Sequence, residues 1–282
     1  MEKIKAFWLD FFRQEQNEDS WWNRKKALWE ERGGEIVRIE GNGRVFEKIR
    51  FDHEQHDRYL IHLTYLIKQD KHFHIEEQVI PYQFSINSRN EIMNHDKIKE
   101  REVEEGEITF PEREAEAIVA RFSYDRLAAV QYAERWWNGY NPEYHKFTVD
   151  CTNFISQCLR AGGAPMHGAS VRERGWWYVG NNWSFSWAVA HSLRWYLSGS
   201  RQGLQAKEMM DAAKLIPGDV ICYDFQGNGK WDHNTIVVAK DAYGMPLVNA
   251  HTDNSRHRYW SYEDSTAWTP NIQYKFFRIS GE

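Results

Sequence analysis

Cys151 stands in "FTVDCTNFISQCLRAGG", residues 147–163, between an acid, Asp150, and a hydroxyl, Thr152. From there Phe154, Ile155, Cys158 and Leu159 recur at helical spacing, and Gly162-Gly163 supplies a stop. A thiol at a helix start can become a nucleophile. The positive end of the helix favours thiolate, and the free N–H groups of the first turn can hold an oxyanion. Such a nucleophile needs a base, usually histidine, and a third polar group to hold the base. His233, in "KWDHNTIVVAK", opens an apolar run that reads as a strand. Asn249 and His251, in "PLVNAHT", lie two apart on the next run and so share one face. Either could meet His233.

Plainer roles compete with this one. Cysteine is among the most buried residue types, and most buried cysteines are inert. Asp150, Thr152 and Asn153 could each be a helix cap. Cys158, two turns after Cys151, reads as core, and so does Cys222 in "DVICYDF". No C-x-x-C or H-x-x-x-H spacing is present, so zinc is disfavoured and no metal or cofactor is expected. His72 and His74 alternate on one strand face and read as solvated or cross-strand residues. "GNG" at 41–43 and "GNGK" at 227–230 lack the strand–loop–helix frame of a phosphate loop and read as turns.

The elements that must position these residues fall into two regions. Residues 1–32 read as helical, with Trp8, Phe11, Phe12, Trp21, Trp22 and Trp29 as apolar positions, and Gly33-Gly34 breaks the pattern. A hairpin is expected around Gly41-Asn42-Gly43 and a turn at Gln69-Asp70-Lys71, giving an antiparallel meander of about four strands. The charged, non-periodic "KEREVEEGE", 99–107, marks the boundary. The expected division is an α+β domain over 1–110 and a second domain over 120–282. The second opens with a helix at Asp125 whose face is Leu127, Val130, Ala133 and Trp137, closed by Asn141-Pro142. The cysteine helix, a Trp-rich stretch and three short strands follow. Helices first and strands afterwards predict an α+β fold with an antiparallel sheet.

Composition narrows the partners. Aromatics reach 15%, with 14 Trp among 282 residues, enough to build a substantial core. The first 120 residues carry 19 Lys+Arg against 26 Asp+Glu and the rest 17 against 15, so neither half has a nucleic-acid footprint. Three cysteines argue against a disulfide framework. No apolar run resembles a signal peptide or the ~20 residues of a spanning helix. A soluble chain, cytoplasmic or spore-associated, is expected.

Four segments, "YDRLAAVQYAERWWNGYNPEY", "DCTNFISQCLRAGG", "PGDVICYDFQGNGKWDHNTIVVA" and "PLVNAHT", fall in the order seen in the putative amidase domain family of spore-forming Gram-positive bacteria. The chain from Ser123 to about Phe277 resembles that family, which belongs with the papain-like cysteine hydrolases beside the NlpC-type and CHAP cell-wall amidases and endopeptidases. The resemblance implies a papain-like fold, Cys151 as nucleophile, His233 as general base and Asn249 as the third polar residue. Asp150 and Thr152 match positions that in NlpC-type enzymes help bind the substrate's peptide amine, and Asn153 replaces a glycine of that block. Trp231 and His251 complete the expected substrate-binding set. The tryptophans Trp176, Trp177, Trp183 and Trp187 could line a cleft or pack as core.

The expected function is therefore cysteine-dependent hydrolysis of an amide or peptide bond, in a peptide or peptidoglycan fragment of the cell wall. The alternatives are a non-catalytic wall-binding or interaction module, and an acyltransferase using the same Cys–His pair. The first region could cover or extend the cleft.

Overall fold

The computed structural model describes residues 2–14, 20–51, 54–87, 91–98 and 122–281. The chain divides into two compact units: Met1–Lys99 with Tyr262–Thr266, and Glu100–Ser261 with Ala267–Glu282. The boundary expected over 99–107 lies outside the described residues.

In the first unit, helices α1 (Glu2–Arg13) and α2 (Trp21–Glu30) precede strands β1 (Gly34–Phe51), β2 (Glu54–Gln69), β3 (His72–Ile86) and β4 (Ile92–Lys97). The strands pair antiparallel in chain order. The two helices are separate because Ser20 caps α2, its side chain accepting from Asn23 N. Along β2, Tyr59, Ile61, Leu63, Tyr65 and Ile67 are buried and their neighbours are not, the period-two signature of a sheet covered on one face. Trp8 Nε1 donates to Tyr59 Oη at 2.8 Å, and Trp22 stacks on Tyr65, so the aromatic helices supply that cover.

The hairpin expected around Gly41-Asn42-Gly43 does not form. β1 runs through it, with Gly41 opposite Leu63 and Gly43 opposite Ile61. A tight hairpin turn needs positive φ, and neither glycine has it. Sixteen paired positions outweigh one local turn signal. The turn at Gln69-Asp70-Lys71 does form, with Asp70 at φ 52°. His72 is exposed and His74 packs beside Trp29.

The second unit holds α3 (Arg126–Trp136), α4 (Cys151–Ala161), the small ribbon β5 (Tyr178–Val179) and β6 (Asn182–Trp183), α5 (Phe185–Ala188) and α6 (Ala190–Gly199). Strands β7 (Ala206–Met209), β8 (Val220–Asp224), β9 (His233–Lys240), β10 (Pro246–Ala250), β11 (Asn254–Tyr259) and β12 (Gln273–Ile279) follow. They pair antiparallel in the order β11-β10-β9-β8-β12-β7. The fold is thus α+β with a mostly antiparallel sheet.

Asp125 caps α3 as its sequence suggests, accepting from Ala128 N at 2.9 Å. Its buried face differs from the expected one: Ala129 and Ala133 are buried, whereas Leu127 is 66% exposed. Small residues face inward because α3 packs closely on α4, whose residues 151–159 are all buried. The core joins Phe154, Ile155, Cys158 and Leu159 of α4 to Cys222, Ile236 and Val238 of the sheet, with Trp176 and Trp187. Asp219 ties the frame together. Its buried carboxylate accepts from Arg126 Nη1 at 2.6 Å, Ile216 N at 2.8 Å and Ile279 N at 3.1 Å. Among the described residues, no helix is long and apolar enough to cross a membrane.

Candidate active site

Cys151 is the first residue of α4 and is 1% exposed. Asp150, before it, does not cap the helix with its side chain. Instead its carboxylate gathers the loop. Oδ1 accepts from Phe147 N at 3.0 Å and from Asn153 Nδ2 at 2.9 Å, and Oδ2 meets His251 Nδ1 at 2.8 Å. The His251 ring stacks on Phe154, centroids 4.0 Å apart, and its Nε2 meets the carbonyl of Trp136 at 2.8 Å. A carbonyl only accepts, so Nε2 is the ring nitrogen that donates there.

The sulfur of Cys151 lies beside the head of β9. The backbone N–H of Asn234 donates to it, and Thr152 Oγ1 lies 3.7 Å away. Asn234 Nδ2 donates to Thr152 Oγ1 at 3.0 Å. Strand alternation explains why Asn234, and not its neighbour, faces α4. Cys222 pairs with Asn234, and both belong to the side of the sheet that carries the α4 core; Tyr223 pairs with His233 on the other side. The His233 ring accordingly lies beside Phe225 and Tyr223, centroids 6.1 and 5.7 Å away. No hydrogen bond joins it to the Cys151 sulfur among the described residues.

Asn249 lies on the same side of the sheet as Asn234. It pairs with Ile236, two residues after Asn234, and so faces α3. Its Nδ2 donates to Glu134 Oε1 at 2.9 Å and approaches Ala133 O at 3.4 Å, while its Oδ1 accepts from His257 N at 2.9 Å. Every polar atom of the amide is used in holding α3 and β11, and none meets His233. Asp150 and His251, expected at the substrate, are 2% exposed and bonded to each other. Thr152 is 1% exposed and occupied by Asn234. Trp231 is 7% exposed and part of the core. Trp176, Trp177 and Trp187 are buried core residues, with Trp187 Nε1 donating to Asn153 Oδ1 at 2.8 Å; Trp183 packs at the core margin.

Burial is the largest influence on the Cys151 thiol and pushes its pKa up. The Thr152 hydroxyl and the Asn234 N–H pull the other way, and Asp150 adds to the rise. A helix start was expected to activate this thiol; here desolvation outweighs it. Burial likewise raises Cys158 and Cys222. All three cysteines are free. Among the described residues, no group of three or more His, Cys, Asp or Glu side chains is placed to hold a metal ion. Asn234 is the residue of this site that sequence reasoning missed. Its signal was present, since a strand that starts at His233 turns the next side chain to the opposite face.

A family model described as "Putative amidase domain" matches residues 123–277. The match points to an amide hydrolase. The uncharacterized protein YhbB of Bacillus subtilis (strain 168) is 48% identical over 268 residues, 91% of this chain and 85% of the relative. That span is longer than the matched domain, so the likeness also takes in much of the first unit. The uncharacterized protein YjcM of the same organism is 30% identical over 140 residues, 46% of this chain and 31% of the relative. No solved structure matches the chain.

Proposed function

We propose that this chain, which belongs to the putative amidase domain family, hydrolyses an amide or peptide bond through Cys151 in a papain-like arrangement of helix and sheet. The observation that carries the reading is the placement of Cys151. It is the first residue of α4, and its sulfur receives a hydrogen bond from the residue that follows His233. The buried, protonated thiol is the resting form. For the reaction, the His233 ring leaves Tyr223 and Phe225 and takes the thiol proton. The sulfur then forms a bond to the amide carbonyl carbon, and the oxygen becomes an oxyanion. The N–H of Cys151 at the helix start donates to that oxyanion. Collapse breaks the C–N bond, and the amine leaves with the proton from His233. Water attacks the thioester, His233 takes a proton from it, and the acid and the thiol are released. A cell-wall peptide is the proposed substrate class, on family resemblance alone.

Two observations favour a second reading, a non-catalytic module that keeps the fold: the raised thiol and the His233 ring placed beside Tyr223 and Phe225. An acyl-enzyme trap separates the two. Incubation with p-nitrophenyl acetate, acid quench and peptide mass spectrometry should find acetyl on Cys151 and on neither Cys158 nor Cys222. Equal acetylation of all three, or none on Cys151, favours the module.

A further inference from the structure

Arg194, in the middle of α6, carries a buried positive charge for which the described protein supplies no anion. It is 7% exposed, and its Nε and Nη1 are buried without an acceptor among the described residues. Its guanidinium lies between two indole rings, 3.7 Å from the Trp195 centroid and 5.1 Å from that of Trp231. Aromatic faces attract a cation but accept no N–H in the plane of the fork. Two groups exert an electrostatic pull on it, Cys222 and Glu208. Cys222 is a buried thiol held neutral by desolvation, and Glu208 already receives Lys275 Nζ. Buried charges are ordinarily paired, because an unpaired one keeps the full penalty of leaving water.

The position of this cation ties it to the candidate site. Trp231, one wall of the cradle, stands two residues ahead of His233 and belongs to the same core. Cys222 is paired across the sheet with Asn234, whose N–H reaches the Cys151 sulfur, and Cys222 interacts electrostatically with Arg194 and Cys151 alike. Trp195, the other wall, is 43% exposed, so the guanidinium lies one side chain below the surface. Beside it, burial lowers the pKa of His191 most, Arg194 and Lys230 lower it further, and Asp224 opposes them.

We propose that Arg194 is the anchor for a carboxylate of the amide substrate, reached where Trp195 covers it. A carboxylate presents two coplanar oxygens that match the guanidinium fork, which is why Arg serves where such a group must be recognised. The proposal rests on the amide-hydrolase reading for the kind of molecule bound, and it adds that the molecule is an acidic peptide or an N-acyl amino acid. Arg194 is then a specificity residue and takes no part in bond breaking.

Calorimetry with two small probes tests it. N-acetylglycine carries the carboxylate, and N-acetylglycinamide is its neutral counterpart. Wild type should bind the acid at least about tenfold more tightly than the amide, as a charge-assisted fork would give. Arg194→Gln should bring the ratio close to one. Arg194→Lys, which keeps the charge without the fork, should lower it several-fold and stands in if the glutamine variant does not fold. Cys151→Ala should keep the wild-type ratio. Equal binding of the two probes by wild type, or an unchanged ratio in either folded Arg194 variant, overturns the proposal. The amide-hydrolase reading fails separately, if wild type releases no amine from amides, and Cys151 as its nucleophile fails if folded Cys151→Ala still releases it, while the probe ratio stands.

Discussion

Asn234 Nδ2 donates to Thr152 Oγ1 at 3.0 Å, joining the head of β9 to the first turn of α4. With the Asn234 N–H on the Cys151 sulfur, this clamp holds the thiol against the strand that starts at His233. Asn234 is fully buried, so the clamp lies in a dry setting where each hydrogen bond matters more than at the surface. The residues on the α4 side of the sheet have structural work of their own.

Asn249 belongs to the frame. Asn249→Ala leaves the part-buried N–H of His257 without its acceptor and takes one of two contacts from Glu134 Oε1, which keeps His257 Nε2 at 3.0 Å. The expected loss is about 2 kcal/mol of unfolding free energy. Chemical denaturation measures it, and turnover per folded molecule should stay within a few-fold of wild type. A large fall in turnover at unchanged stability would return Asn249 to the catalytic set.

Glu134 makes stability depend on pH. Burial pushes its carboxyl up, but the hydrogen bonds and charges of His257 and Arg256 outweigh burial and hold it down at about 2. A carboxyl lowered from its ordinary 4.5 contributes stability that is present above that value and lost as pH falls toward 2. With the side chain 25% exposed, the contribution is about 2 kcal/mol. Glu134→Gln should therefore cost that much at pH 7 and nearly nothing at pH 2, read from the difference between the two denaturation curves. A constant difference across that range would contradict the assignment.

How much of this was legible beforehand varies by element. The cysteine helix and its glycine stop, and the strands from His233 and Pro246, were readable, because periodicity and stop signals act within a few residues. Gly41-Asn42-Gly43 misled, because a long strand pairing decided the backbone from across the sheet. Leu127 misled because close packing on α4 admits only Ala129 and Ala133. The side that His233 faces could be read only once Tyr223 was known as its cross-strand partner. Asp264 shows the limit most plainly: it is grouped with the first unit and meets Lys25, 239 positions away. No local pattern carries such a pairing.

That pairing has a consequence for stability. Lys25 is fully buried, with Nζ 2.7 Å from Asp264 Oδ2 and 2.5 Å from Glu76 Oε1. Lys25→Met removes the only cation of the triad and leaves two buried carboxylates facing each other. The expected loss is about 4 kcal/mol in chemical denaturation. Replacing all three residues by apolar ones of similar volume should recover most of it. A single Lys25→Met variant as stable as wild type would mean that the triad does not hold these elements together.

Cys151 is proposed to perform amide hydrolysis with His233 as its base. The direct measurement is amine release from a panel of peptide amides by wild type, Cys151→Ala, His233→Ala and His251→Ala, with melting curves to establish that each variant is folded. Cys151→Ala and His233→Ala should each lose at least about a thousandfold, and their double variant little more, as groups acting in one step do. His251→Ala should lose stability in the Asp150 loop and far less turnover per folded molecule. Amine release by folded Cys151→Ala within a few-fold of wild type would contradict the account.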